Sequence, residues 1–182
     1  MKTELKKAAT LNYTNGQVTA LVILRMLIGW HLLYEGVVKL YNPSWSAGPF
    51  LMDSKGIFSQ FFFDLASNPA VLNVVDFLNI WGLIAIGLGL ILGLFNKVAA
   101  IAGAILLSLY YLSHPPFIGL KYALPSEGSY LIVNKNLIEI FALIVLAVFP
   151  TGLQIGLDRL IALSRGKSVE PVENEELEKE AA

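Results

Sequence analysis

The sequence predicts an all-α integral membrane protein: a four-helix bundle with a short amphipathic helix in an outer loop. Two observations carry this expectation. Phe77–Asn96, Val98–Leu120 and Ile140–Leu157 are runs of 20, 23 and 18 residues without Asp, Glu, Lys or Arg, and Gln17–Tyr34 is interrupted by Arg25 alone. A helix needs roughly 20 apolar residues to cross the hydrocarbon core. The chain is also 55% hydrophobic and only 15% charged, against about 25% charged in a soluble domain.

The expected spans are helices at about 17–41, 72–95, 97–114 and 135–158. In the first, Arg25 is the one charge below Glu35. The second follows Pro69, whose missing N–H costs little at a helix start. Asn96-Lys97 makes a very short turn, so the second and third helices are antiparallel neighbours. Pro115-Pro116 ends the third. Gly82, Gly87, Gly89 and Gly93, facing Ala99, Ala100, Ala102, Gly103 and Ala104, allow close backbone approach. Gly89-x-x-x-Gly93 serves either packing within the chain or a homo-oligomer.

The 182 residues divide into an N-terminal segment 1–16, a transmembrane domain 17–165 and an acidic tail 166–182 read as disordered. From Glu170 onward there are six Glu and one Lys, so the net charge of −1 conceals a body of 12 Lys+Arg against 8 Asp+Glu. Lys2, Lys6, Lys7, Lys97, Arg159, Arg165, Lys167 and Lys179 fall on one side of the membrane, and Lys39, Lys55, Lys121 and Lys135 on the other. By the positive-inside rule both termini are cytoplasmic and the loops 42–71 and 115–134 face outward. The basic N-terminus lacks a small-residue cleavage site and reads as uncleaved. In the first outer loop, Ile57, Phe58, Phe61, Phe62 and Leu65 share one face of a short helix, either an interfacial anchor or a lid.

Composition also excludes chemistry. There is no cysteine, hence no disulfide, thiolate metal site or thiol nucleophile. No basic patch with interleaved aromatics suggests nucleic-acid binding. His31 and His114 are the only histidines. One lies near mid-membrane and one at the surface, so bis-histidine haem is not expected, nor is a metal.

Ionisable residues inside a membrane are costly and usually face a bundle interior or cavity. His31, Glu35 and Lys39 recur every four residues near one face of the first helix. At about 1.5 Å per residue, Glu35, Glu139, Asp76, Asn79 and Tyr110 all lie about 6–10 Å below the outer ends of their helices. Asn136 belongs to the same level. Four helices thus contribute polar groups to one outer-leaflet region, which is expected to be either a site or an ion-paired pin. Arg25 lies about 12 Å from the other surface, level with Pro150. It is expected to be structural, donating to the Leu146 carbonyl, to Thr151 or toward Asp158.

These residues resemble the DoxX superfamily, and within it the DoxD branch. The similar features are Arg25-x3-Gly29-x6-Gly36-x2-Lys39-Leu40, then Asn42-Pro43-x-Trp45 and Asn68-Pro69. Ile80-Trp81-Gly82 with Gly87-x-Gly89-x3-Gly93 follows, then Tyr110-Tyr111-Leu112-Ser113, Val133-Asn134-Lys135-Asn136-Leu137-Ile138 and Gly156-Leu157-Asp158. The resemblance covers about 18–160. It implies a subunit of a prokaryotic cytoplasmic membrane, associated with a quinone; DoxD itself is the large subunit of a thiosulfate:quinone oxidoreductase and works with a DoxA partner. On that reading Glu35, Glu139 and His31 exchange protons with a non-covalently bound quinone. Lys39, Asp76, Asn79, Tyr110 and Asn136 bind substrate, and Arg25 and Asp158 are structural. The alternative is a non-enzymatic scaffold that anchors a soluble partner.

Overall fold

The computed structural model describes residues 13–123 and 131–166. Among them it is all-helical. The helices are α1 (Asn15–Leu40), α2 (Gly48–Met52), α3 (Ser59–Ser67), α4 (Pro69–Leu92), α5 (Asn96–Ser113), α6 (Lys135–Val148) and α7 (Leu157–Ser164). Segments 1–12 and 167–182, with most of the expected N-terminal segment and acidic tail, lie outside the described residues.

Local chemistry sets most boundaries. Thr14 and Gln17 form a reciprocal capping box at the start of α1. Asn68 accepts from the Ala70 and Val71 amides, so α4 begins at Pro69 rather than 72. Gly93, at φ +62°, ends α4 in a left-handed cap. Asn134 caps α6 through the Leu137 amide.

The fourth expected span differs from the expectation. Its first part, α6, stops at Val148, and α7 starts only at Leu157. Pro150 is the cause, because its ring opposes a continued helix and it has no N–H to donate. The 14 residues of α6 extend about 21 Å, less than a hydrocarbon core of about 30 Å. Three helices, α1, α4 and α5, are long and apolar enough to cross a membrane among the described residues.

α1 lies along α4, and α5 along both α4 and α6. The α1–α4 contact depends on glycine: a Cβ on Gly87 would stand 2.5 Å from the Leu33 amide nitrogen, and one on Gly36 2.8 Å from Ile84. Gly89 abuts Ala99 of α5, so the Gly89–Gly93 motif packs within the chain. Ile28, Leu32, Leu83, Ile86, Leu90, Leu107, Leu143 and Leu146 fill the shared core. Ile23, Leu27, Trp30, Phe77, Leu78, Ile105 and Phe141 point outward, as expected of helices solvated by lipid.

We call the end bearing residues 41–68 the upper end and the end bearing the α4–α5 turn the lower end. A second, smaller core forms at the upper end from Ala47, Leu51 and Phe62, backed by Trp45, Phe50, Leu65, Leu72 and Val75. The amphipathic face expected over 57–65 is therefore divided. Phe62 and Leu65 turn into this core, while Ile57, Phe58 and Phe61 remain exposed. Gly56, at φ +94°, sets the chain direction just before them.

Candidate functional site

At the upper end five ionisable side chains from two helices meet. On α1, Lys39 Nζ lies 2.6 Å from Glu35 Oε2, the pair one helical turn apart. Lys39 also stands 5.7 Å from the Trp45 ring centre. One turn below Glu35, His31 Nδ1 lies 2.9 Å from Glu139 Oε1 of α6. The contact is short but poorly aligned, and Nδ1 and Glu139 Oε2 are left without a well-directed hydrogen bond. The other ring nitrogen, Nε2, is 3.3 Å from Lys135 Nζ. An ammonium offers only protons, so Nε2 is the acceptor in this contact, while Nδ1 faces Glu139. Glu35 lies within reach of the Lys135 charge.

Glu139 contacts the His31 imidazole, and Glu35 lies within electrostatic reach of it. The surroundings of the two carboxylates differ. The Glu35 side chain is 46% exposed and that of Glu139 16%. Lys135 is the member that sequence reasoning missed. Its signal was the four-residue spacing to Glu139, the same spacing that singled out Glu35 and Lys39.

Next to this cluster lies a neutral part. Asn79 of α4 is buried, and the Tyr110 hydroxyl of α5 has no contact with solvent. The Asn79 side chain lies within hydrogen-bonding reach of the hydroxyl, and the Glu35 charge acts on it as well. Yet neither Tyr110 Oη nor Asn79 Oδ1 has a hydrogen bond of acceptable geometry.

Asp76 is placed differently from its expected role in binding substrate. Its Oδ1 accepts from the Ala47 amide at 2.7 Å, fastening the 41–68 loop to α4. Asn136 is half-buried on the first turn of α6 and makes no side-chain hydrogen bond among the described residues. Neither belongs to the ionisable cluster.

His114, expected at the surface, is half-buried in a stack. Its ring lies 3.9 Å from Phe50 on one side and 4.5 Å from Tyr122 on the other. Ser113 Oγ reaches its Nδ1 at 3.1 Å, and Asp53 lies 3.9 Å from Nε2. Burial holds the imidazole below its ordinary pKa of 6.5, and Asp53 offsets this only in part. The stack ties the loop after α1 to the loop after α5. Asp53 accepts from the Ala123 amide, Ser54 donates to the Ser113 carbonyl, and Lys55 donates to the Lys121 carbonyl. Phe50 also meets Tyr110 edge-on at 5.9 Å, so this cover touches the neutral part of the site.

The lower end holds Arg25 and Asp158. Arg25 donates to Thr151 Oγ1 at 3.1 Å and to the Ile155 carbonyl at 2.8 Å. Thr151 was one of the three expected partners, and the carbonyl used is that of Ile155, not Leu146. Asp158 supports Arg25 through its charge. Its two oxygens accept from the Phe95 and Asn96 amides, which caps α5 and holds Phe95 at φ 47°. Gly93 leaves the space: a Cβ there would lie 2.9 Å from Arg25 Nη1.

Among the described residues no three His, Asp or Glu side chains are grouped to hold a metal ion. The model of the DoxX family matches residues 20–115, from α1 through the end of α5. The chain belongs to the DoxX family. With three helices able to span, this DoxX protein is a multi-pass membrane protein. No curated protein and no solved structure matches it.

Proposed function

We propose that this DoxX protein is the membrane subunit of a quinone-linked oxidoreductase, resembling the DoxD branch, with its site at the upper end facing out of a prokaryotic cytoplasmic membrane. The orientation rests on the eight Lys/Arg of the opposite side. One observation carries the functional reading: His31, one turn from the Glu35–Lys39 pair on α1, meets Glu139 and Lys135 of α6, in helices that are otherwise almost free of charge. Such a group is expensive in lipid and marks a functional region.

Reducing a quinone requires two electrons and two protons. The contacts suit the proton part. Glu139, with Oε2 unengaged, exchanges a proton with the substrate oxygen. His31 carries it between Glu139 and the more exposed Glu35. Lys39 and Lys135 balance the carboxylate charge and draw a small anion to the outer surface. If that anion is thiosulfate, joining two of them through a new S–S bond releases the two electrons required. The chain offers no thiol to relay them, so they pass directly between bound substrates or through a partner subunit.

The test has two stages. Native purification followed by mass spectrometry should find a quinone and a co-purifying subunit. Glu139→Gln and Glu35→Gln should then insert and fold normally while losing quinone reduction. If both variants keep full activity in cells, the protein is a scaffold for a soluble partner.

A further inference from the structure

α7 begins at the membrane surface and turns an apolar side outward. The Asp158 amide donates to the Gly93 carbonyl at 3.0 Å, and the Asp158 carboxylate holds the Phe95 and Asn96 amides. These bonds fix the start of α7 level with the α4–α5 turn. That turn joins two helices able to span, so it marks the lower edge of the hydrocarbon core. From there α7 has no fully buried residue, and among the described residues it has no extended packing on another helix. Leu157, Leu160 and Leu163, at every third position, are all exposed, Leu160 by 61%. Phe95, bonded to Asp158, is 65% exposed and is held at φ 47°, a conformation that residues other than glycine rarely adopt. Basic residues border this apolar surface. Arg159 donates to the Gln154 carbonyl, and Lys97 and Arg165 are exposed. Among the described residues Asp158 brings the one carboxylate to this end, and two amides already engage it.

We propose that α7 lies in the plane of the lower membrane surface, and that Lys97, Arg159 and Arg165 bind the phosphate of an anionic phospholipid there. The inference is independent of the quinone reading. A helix with leucines on one side and basic residues beside them settles about 5–10 Å into the headgroup boundary. In that plane the three leucines and Phe95 enter the acyl region, whereas a helix continuing downward would hold them in water. Charge then selects the headgroup. Phosphatidylcholine carries its own ammonium toward the three cations, and an anionic lipid does not. Each Lys or Arg near an anionic surface favours binding about fivefold. The Glu-rich segment from Glu170 onward matches the charge as well, but Val172 and Leu177 are its only large apolar residues. Lipid matches both the charge and the leucine stripe.

Two measurements on the full-length protein test this. In the first, the protein is extracted from bilayers of equal parts phosphatidylglycerol and phosphatidylcholine, and native mass spectrometry counts the lipids it retains. The parent should keep phosphatidylglycerol in an excess of about 10², from three basic residues at about fivefold each. Lys97→Gln with Arg165→Gln should lower the excess to about fivefold. That variant should unfold at the parental temperature, since both side chains are exposed. Equal retention of the two lipids by the parent, or an undiminished excess in the double variant, overturns the proposal. The second measurement uses Leu160→Cys. The chain has no other cysteine, so an environment-sensitive fluorophore attaches there alone. In the same bilayers it should be quenched by lipid nitroxides near the headgroup end of the acyl chain, and little by iodide. Quenching by iodide alone places Leu160 in water, and shielding from both quenchers means that a protein segment covers the stripe. Either result overturns the proposal.

Discussion

The two ends of the bundle both place charge inside apolar helices, and they do so in opposite ways. At the lower end charge is directed at backbone and loop. Both oxygens of Asp158 take amide protons of the α4–α5 turn, and Arg25, only 2% exposed, donates to a carbonyl and a hydroxyl of the broken segment after α6. At the upper end charge is directed at charge. Lys39 meets Glu35, and His31 meets Glu139 and Lys135, with side chains partly exposed and polar atoms left over. The first arrangement fixes a turn. The second leaves protons and lone pairs able to change partners. Polar atoms without an aligned partner also occur at the lower end, at Arg25 Nε, at both side-chain atoms of Asn96 and at Gln154 Oε1.

The largest effect is expected at the lower end. Asp158→Ala removes two bonds to backbone amides and leaves Arg25 without its compensating charge. Breaking such a buried arrangement costs about 3 kcal/mol or more. Thermal unfolding in detergent should show the loss, with ligand affinity of the surviving folded protein unchanged. A stable variant that no longer binds ligand would place Asp158 in the chemistry and end the contrast between the ends.

The matched change at the upper end should reverse the balance. Glu139→Gln keeps the shape and loses only a misaligned, partly exposed contact, so its stability cost should stay near 1 kcal/mol. Turnover should fall by a factor of about 10² or more, the usual worth of a positioned proton donor or acceptor. An unfolding temperature lowered as much as in Asp158→Ala would show that the upper cluster is a pin after all.

The smallest effect concerns the covering loop. Burial lowers the pKa of His114 in the folded state, so the unfolded state binds the proton more readily. Stability from the Phe50–His114–Tyr122 stack is therefore complete above the ordinary histidine value of 6.5 and declines as pH falls below it. Protection factors in 41–68, corrected for the base-catalysed intrinsic exchange rate, should fall on mild acidification, and His114→Phe should abolish this dependence. Protection that does not change with pH in the parent would show that His114 stays neutral for another reason, and that the cover does not respond to pH.

Much of this was legible because it is local. Two of the three uncharged runs mark the spanning helices α4 and α5, Asn68-Pro69 marks a helix start, and the spacing of Glu35 and Lys39 anticipates their pair. Pro150 was visible too, yet a proline either kinks or ends a helix, and the local pattern does not say which. Here Pro150 ends the helix, and the segment 149–156 that follows is held by Arg25 through Thr151 and the Ile155 carbonyl. Asp76 was the opposite case: its depth matched the site, but its partner is the Ala47 amide, 29 residues away in the chain.

By itself, then, the sequence determined which segments suit lipid and which charges are too deep to be incidental, since hydropathy and helical spacing act over a few residues. Only the tertiary structure decided how those charges pair. His31 meets Glu139 and Lys135, Asp158 meets the Phe95 amide, and His114 enters its stack because of how far each helix is rotated and how closely it approaches its neighbour. At α1 and α4 that approach is governed by Gly36 and Gly87, where a single added methyl group would collide with the facing helix. Contacts of this kind join residues some 60 to 130 positions apart, and no local periodicity encodes them.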